Sequence, residues 1–239
     1  MNPTFMLGAE LEVRRLGFGA MRIVDDREEG VRVLRRAVEL GVNFIDTADI
    51  YGAGRSEEII AEALHPYPDG LVITTKGGLG WGLQDRIRDG RPEHLRDACE
   101  ASLRRLKVER IDLYQLHRHD PEVPIEESIG ALEQLRQEGK IRMIGVSNFS
   151  LQQLRAAQSV ARIVSVQNQY NRGLFTSDDV VDACAEDGIA FMPWAPLGEG
   201  LTRGSAYEIT WLLDRAPVML VIPGTSSVAH LEENMRAVA

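Results

Sequence analysis

Short apolar, β-branched runs alternate along the whole chain with segments whose apolar positions recur every three to four residues. The runs are LGFGAM (16–21), VNFIDTA (42–48), LVITTK (71–76), IDLYQLH (111–117), IRMIGVS (141–147), IVSVQ (163–167), IAFMPWA (189–195) and VMLVIPG (218–224). They are nearly continuous, which predicts strands of a parallel sheet covered on both faces. Helices are predicted between them, for example over 27–41, 124–140 and 178–188. In 124–140, Ile125, Ile129, Leu132 and Leu135 share one helical face, Pro124 opens the segment and Gly139 closes it. Gly41 and Gly188 stop two other helices in the same manner. Eight units in 239 residues average about 30 each, close to the ~250 residues of a closed barrel. A doubly wound open sheet is the competing arrangement. It usually shows G-x-G-x-x-G after its first strand, and GFGAMRI (17–23) lacks that pattern. The expectation is an α/β fold, a compact (β/α)8 TIM barrel with shortened loops, forming one domain over 1–239.

Composition narrows the class without changing the fold. Hydrophobic residues make up 44% and charged residues 26%, which excludes a disordered or fibrous chain. No apolar run reaches the ~18 residues that span a bilayer. The first residues, MNPTFMLGAE, lack the basic and apolar regions of a secretory signal. Cys99 and Cys184 fall in predicted helices and offer no disulfide framework, so a reducing cytoplasm is expected. The net charge of −9 argues against nucleic acid or an anionic membrane as a partner. A small anionic ligand needs only a local cradle and is not excluded.

In a barrel of this kind the active site lies at the C-terminal ends of the strands. The second run reaches Asp46, with Tyr51 five residues later. The third ends in Lys76, the fourth in His117, the fifth in Ser147 and Asn148, and the sixth in Gln167 and Asn168. The seventh carries Trp194, and the eighth runs into Gly224, Thr225 and Ser226. Singly, each has an ordinary role: Asp46 as a helix cap, Tyr51 as a surface aromatic, Lys76 as a solvated lysine, His117 as a core histidine. Together they make a chemical unit. A tyrosine hydroxyl can give a proton to a developing alkoxide. A lysine ammonium beside it favours the phenolate, an aspartate holds the lysine charged, and a histidine can orient a carbonyl oxygen. No side chain supplies hydride, so a cofactor is implied.

These residues sit in stretches that resemble the aldo-keto reductase family over essentially the whole chain. The stretches are RLGFGAM (15–21), NFIDTADIYG (43–52), TKGG (75–78), DLYQLH (112–117), IGVSNF (144–149), QNQYN (167–171), PWAPLGEG (193–200) and VIPGTSSVAHLEEN (221–234). The last is similar to bacterial members with IPGTSS followed by HLEEN. The resemblance implies a barrel carrying NADP(H) across its top and reducing an aldehyde or ketone. It assigns Tyr51 as general acid, Lys76 and Asp46 as the pair tuning it, and His117 as the carbonyl-orienting group. It places Gly19, Met21, Ser147, Asn148 and Gln167 on the cofactor, Trp194 against its nicotinamide, and Leu197 and Gly198 near its pyrophosphate. Thr225, Ser226, Ser227, Glu233 and Asn234 match the segment holding the adenosine end. A small carbonyl substrate, a monomer and a cytoplasmic location are expected, and no metal.

Two departures from the family stand out. Gly224 and His230 occupy positions where many relatives have a lysine and an arginine around the 2′-phosphate. The stretches 23–29 and 198–213 are shorter than in many relatives, which predicts looser cofactor binding and lower turnover. A nucleotide-binding or scaffold barrel with weak or no turnover is therefore an alternative. A Schiff-base aldolase using Lys76 would leave Trp194 and 221–234 without a role. His117-x-His119-Asp120 could begin a metal site, but His65, His94 and His230 lie in predicted helices far along the chain, so no third histidine is obvious. The loops around Trp81 and Arg118 are candidates to face the pocket.

Overall fold

The computed structural model describes residues 3–81, 86–198 and 204–238, with the side chains of Trp81 and Arg86 outside that description. An antiparallel hairpin comes first, β1 (Thr4–Leu7) and β2 (Leu11–Arg14). Then come β3 (Phe18–Gly19), β4 (Phe44–Asp46) and β5 (Val72–Gly77). A second antiparallel hairpin follows, β6 (Leu79–Trp81) and β7 (Arg86–Arg88). The remaining strands are β8 (Ile111–Leu116), β9 (Ile141–Ser147), β10 (Ile163–Gln169) and β11 (Ala190–Trp194). Outside the hairpins, neighbours run parallel in the order β11-β10-β9-β8-β5-β4-β3.

The helices are α1 (Arg27–Glu39), α2 (Arg55–Leu64), α3 (Pro92–Leu106) and α4 (Ile125–Gln137), then α5 (Leu151–Val160), α6 (Asp178–Asp187), α7 (Ser205–Arg215) and α8 (Val228–Met235). The three spelled out by periodicity appear within a few residues of their predicted ends. Gly188 caps α6 at φ +68°, a conformation glycine adopts without steric cost. α5 opens on a capping box, in which Ser150 Oγ accepts from the Gln153 backbone N–H and Gln153 Oε1 accepts from Ser150 N–H.

The predicted eighth strand is a set of bridges. Met219 pairs with Phe191, Val221 with Leu16 and Gly224 with Gly19, all in parallel. Segment 218–224 therefore lies between β11 and β3 and closes the ring. Pro223 has no N–H to give a ladder, which helps explain the interruption. The first strand is likewise shorter than predicted, because Ala20–Val24 turns into a 3-10 helix.

Inside the ring, alternate residues of each strand form layers. The lower layer is apolar, with Phe44, Val72, Leu113, Met143, Ala190 and Leu220 packed together over Leu7 and Val13 of the first hairpin. The next layer up mixes Met192 with polar residues. There Gln115 Nε2 donates to Thr74 Oγ1 at 3.1 Å, and Ser165 Oγ donates to Gln115 Oε1 at 3.4 Å. Gly145 makes room for that contact, because a Cβ on it would lie 2.1 Å from Ser165 Oγ. Above these stand Lys76, His117, Ser147 and Gln167, all buried. The strands thus carry a gradient from hydrocarbon at their start to charge at their end.

Candidate active site

The gradient ends in a cavity of about 360 Å³ at the C-terminal mouth. Asp46, Tyr51, His117, Ser147, Asn148, Gln167 and Trp194 line it, as do Gly19, Met21, Leu197 and Gly198. Lys76 lies beneath, fully buried. Its ammonium donates to Asp46 Oδ2 at 2.7 Å, to Thr47 O at 2.8 Å and to Tyr51 Oη at 3.5 Å. Three N–H bonds thus meet three acceptors. Tyr51 reaches this position from a turn in which its N–H donates to Ala48 O at 3.1 Å. The His117 ring stands edge-on to it, with centroids 6.1 Å apart.

Burial pushes the Asp46 carboxyl up, opposed by the donors Lys76, Gln167 and Gln115. Burial also works against charge on Lys76, and it is outweighed by Asp46 and Tyr51, which hold the lysine above its ordinary value. A charged, enclosed ammonium is a poor nucleophile, which removes the Schiff-base reading. Behind the pair, buried Glu57 accepts from Thr75 Oγ1 and from Arg105 Nε, each at 2.6 Å. Burial and the Glu57 charge push the neighbouring Asp49 carboxyl up to about 7.

The amide side of the cavity is equally ordered. Gln167 Nε2 donates to Asp46 Oδ1 at 2.9 Å, and Ser147 Oγ donates to Gln167 O at 2.9 Å. Asn148 Nδ2 donates to Ser147 Oγ at 2.9 Å and to His117 O at 3.2 Å. Trp194 Nε1 donates to Asn148 Oδ1 at 3.0 Å, pinning the half-buried indole at the rim. Asn148 holds φ +59°, a left-handed conformation asparagine tolerates better than most residues. Ala195 holds φ +50° without that aptitude, and Asn171 Nδ2 secures its carbonyl at 3.1 Å. Backbone strain is thus placed beside the indole.

Thr225, Ser226, Ser227, Glu233 and Asn234 lie outside this lining. Thr225 Oγ1 accepts from Ser227 N–H at 3.1 Å, Ser227 Oγ caps α8, and Asn234 is buried in it. Asn168 is also structural, bonding the backbone of Phe149 through both ends of its amide. His119 is half-buried, edge-on to Phe149. Among the described residues no three His, Cys, Asp or Glu groups gather as a metal site. The shortened stretch after Gly198 falls partly on 199–203, outside the described residues. Sequence reasoning passed over Gln115, Arg22 and Ile222. Gln115 precedes His117 by two and so shares its face, a signal that alternation alone supplies.

Residues 15–210 match the model of the Aldo/keto reductase family. The chain is 40% identical over 266 residues to pyridoxine 4-dehydrogenase of Escherichia coli, covering 99% of this chain and 93% of that protein. It is 42% identical over 253 residues to an uncharacterized oxidoreductase of Schizosaccharomyces pombe, covering 95% and 82%. The glycerol dehydrogenase of Gluconobacter oxydans superposes with a TM-score of 0.91 at 28% identity, covering 100% of this chain and 91% of that one. An aldo/keto reductase from Klebsiella pneumoniae in complex with NADP and acetate superposes with a TM-score of 0.86 at 26% identity, covering 99% and 90%.

Proposed function

The chain belongs to the aldo/keto reductase family, and we propose that it is an NADP(H)-dependent reductase of small aldehydes or ketones. The observation that carries this reading is the Lys76 ammonium, whose three acceptors include the hydroxyl of a cavity-lining tyrosine. The cofactor supplies the hydride. The donor set suits it: side-chain amides and a hydroxyl for a carboxamide, an indole for a flat ring, and backbone from Ala195 to Gly198 for a pyrophosphate. Ser227 caps a helix whose first N–H groups can face an anion.

Tyr51 gives its proton to the carbonyl oxygen as that oxygen gains charge. Lys76, fixed by Asp46 and Thr47 O, stabilises the phenolate left behind. His117, across the cavity, holds the carbonyl oxygen in line with Tyr51. The low dielectric of the buried site strengthens each of these interactions. The short stretch after Gly198 supports weaker NADPH binding than in relatives with a longer cover, and a single-domain, cytoplasmic monomer is the simplest form of such an enzyme. A titration of Trp fluorescence with NADPH and NADH, followed by turnover at 340 nm on an aldehyde panel, tests the reading. NADPH oxidation with at least one aldehyde is expected. Tight nucleotide binding without oxidation of any would favour a non-catalytic binding barrel instead.

A further inference from the structure

Two guanidinium groups line the mouth, Arg22 and Arg118. Among the described residues neither is in an ion pair, unlike Arg27, Arg36, Arg96 and Arg136, whose guanidinium groups are spent on carboxylates. The acid lining the described cavity is Asp46, and Lys76 already occupies it. Counting Lys76, Asp46 and the two arginines, the mouth carries two surplus positive charges in a chain whose net charge is −9. Such a local excess focuses an anion.

The topology separates the two arginines. Around the ring the order is the closing segment 218–224, then β3, β4, β5, β8, β9, β10 and β11. Arg22 follows β3, next to the closing segment that leads into the Thr225–Asn234 stretch. Arg118 follows β8, four places round from the closing segment, on the opposite wall. It is also adjacent to His117, and consecutive Cα atoms are ~3.8 Å apart. A substrate whose carbonyl meets His117 and Tyr51 has Arg118 within reach of its other end.

We infer that Arg118 selects carbonyl substrates bearing an anionic group, a carboxylate or a phosphate, for which its planar fork provides two parallel donors. This rests on the reductase reading above. The test compares 4-carboxybenzaldehyde with its neutral methyl ester at saturating NADPH. The parent enzyme is expected to favour the acid by about tenfold or more in kcat/KM, expressed in KM, with the preference shrinking at high salt. Arg118→Met should bring the acid-to-ester ratio toward one, and Arg118→Lys should keep part of it. Arg22→Met should raise the KM for NADPH and leave that ratio in place. Glyceraldehyde 3-phosphate against glyceraldehyde repeats the comparison, and the larger of the two preferences identifies the anion.

A ratio near one for both pairs in the parent overturns the inference while leaving the reductase intact. So does a ratio that survives Arg118→Met or is lost only in Arg22→Met. If no aldehyde is reduced, the reductase reading fails. Calorimetric binding of 4-(hydroxymethyl)benzoate against its methyl ester then judges Arg118 without turnover. Preference for the benzoate that disappears in Arg118→Met would uphold the anion site, and equal binding would remove it.

Discussion

The hollow beneath the barrel, at the N-terminal ends of the strands, is larger than the one at the mouth, about 990 Å³ against about 360 Å³. Its arginines and Asp187 are nevertheless committed to structure. Arg15 donates to Leu213 O and Ala216 O at 2.6 Å each and to Met219 O at 3.1 Å, which ties the first hairpin to the ring closure. Arg162 donates to Gly8 O at 3.0 Å, and Asp187 is taken by Arg155 and Gln158. At the mouth, Tyr51, His117, Arg22 and Arg118 present polar groups to the space itself. Volume therefore does not find the site in this protein. What distinguishes it is where the charged groups point once the fold's own needs are met.

Substitutions at the two ends should separate cleanly. The largest effect is expected of Tyr51→Phe, which removes the proton donor and lowers kcat/KM by ~10²–10⁴-fold. Its melting temperature should stay close to the parent's, and calorimetry beside steady-state kinetics checks both halves of that statement. Arg15→Met reverses the pattern: three carbonyls lose a donor, costing about 3 kcal/mol in denaturant unfolding, while NADPH affinity is kept. Equal losses of activity and stability in both variants would dissolve the contrast.

Asp49 tests the layer behind the mouth. Its carboxyl lies at about 7 in the fold against an ordinary 3.8. Between those values the folded state holds a proton that the unfolded state has released, so stability falls as pH rises through that window. Asp49→Asn should remove about 3 kcal/mol of that decline, read from melting temperatures between pH 4.5 and 8. A parent curve as flat as the variant's would show that Asp49 titrates normally. The smallest effect belongs to Ser150→Ala, which breaks the capping box of α5 and costs ~1 kcal/mol. It stands on the mouth side but outside the cavity, so unchanged kinetics would show that chemistry, not location, defines the site.

Much of this site was legible before any coordinates, because two rules combine. Strand residues alternate between faces, and a barrel brings its strand ends to one opening. Asp46, Lys76, His117, Ser147 and Gln167 follow directly, and the tyrosine follows from its distance to Asp46. Arg22 was not legible, because it lies just past the run 16–21, whose end reads as strand, whereas Ala20–Val24 turns into a 3-10 helix. Gln115 was legible by alternation as a neighbour of His117 on one face, but its bonds to Thr74, Ser165 and Asp46 come from other strands and emerge only in the fold. The first hairpin was missed because each of its strands has only four residues, too few for periodicity to register. The eighth strand was read as continuous because its composition is, whereas its pairing is not.

The bonds running from Trp194 through Asn148, Ser147, Gln167 and Asp46 to Lys76 and Tyr51 join the two halves of the cavity into one connected object. Thermodynamic reciprocity governs such an object. Whatever free energy a ring lodged beside the indole contributes to the proton affinity of the tyrosine, protonation of the tyrosine must return to the binding of that ring. The pH dependence of nucleotide affinity and the nucleotide dependence of the Tyr51 titration are therefore one coupling constant measured from two sides.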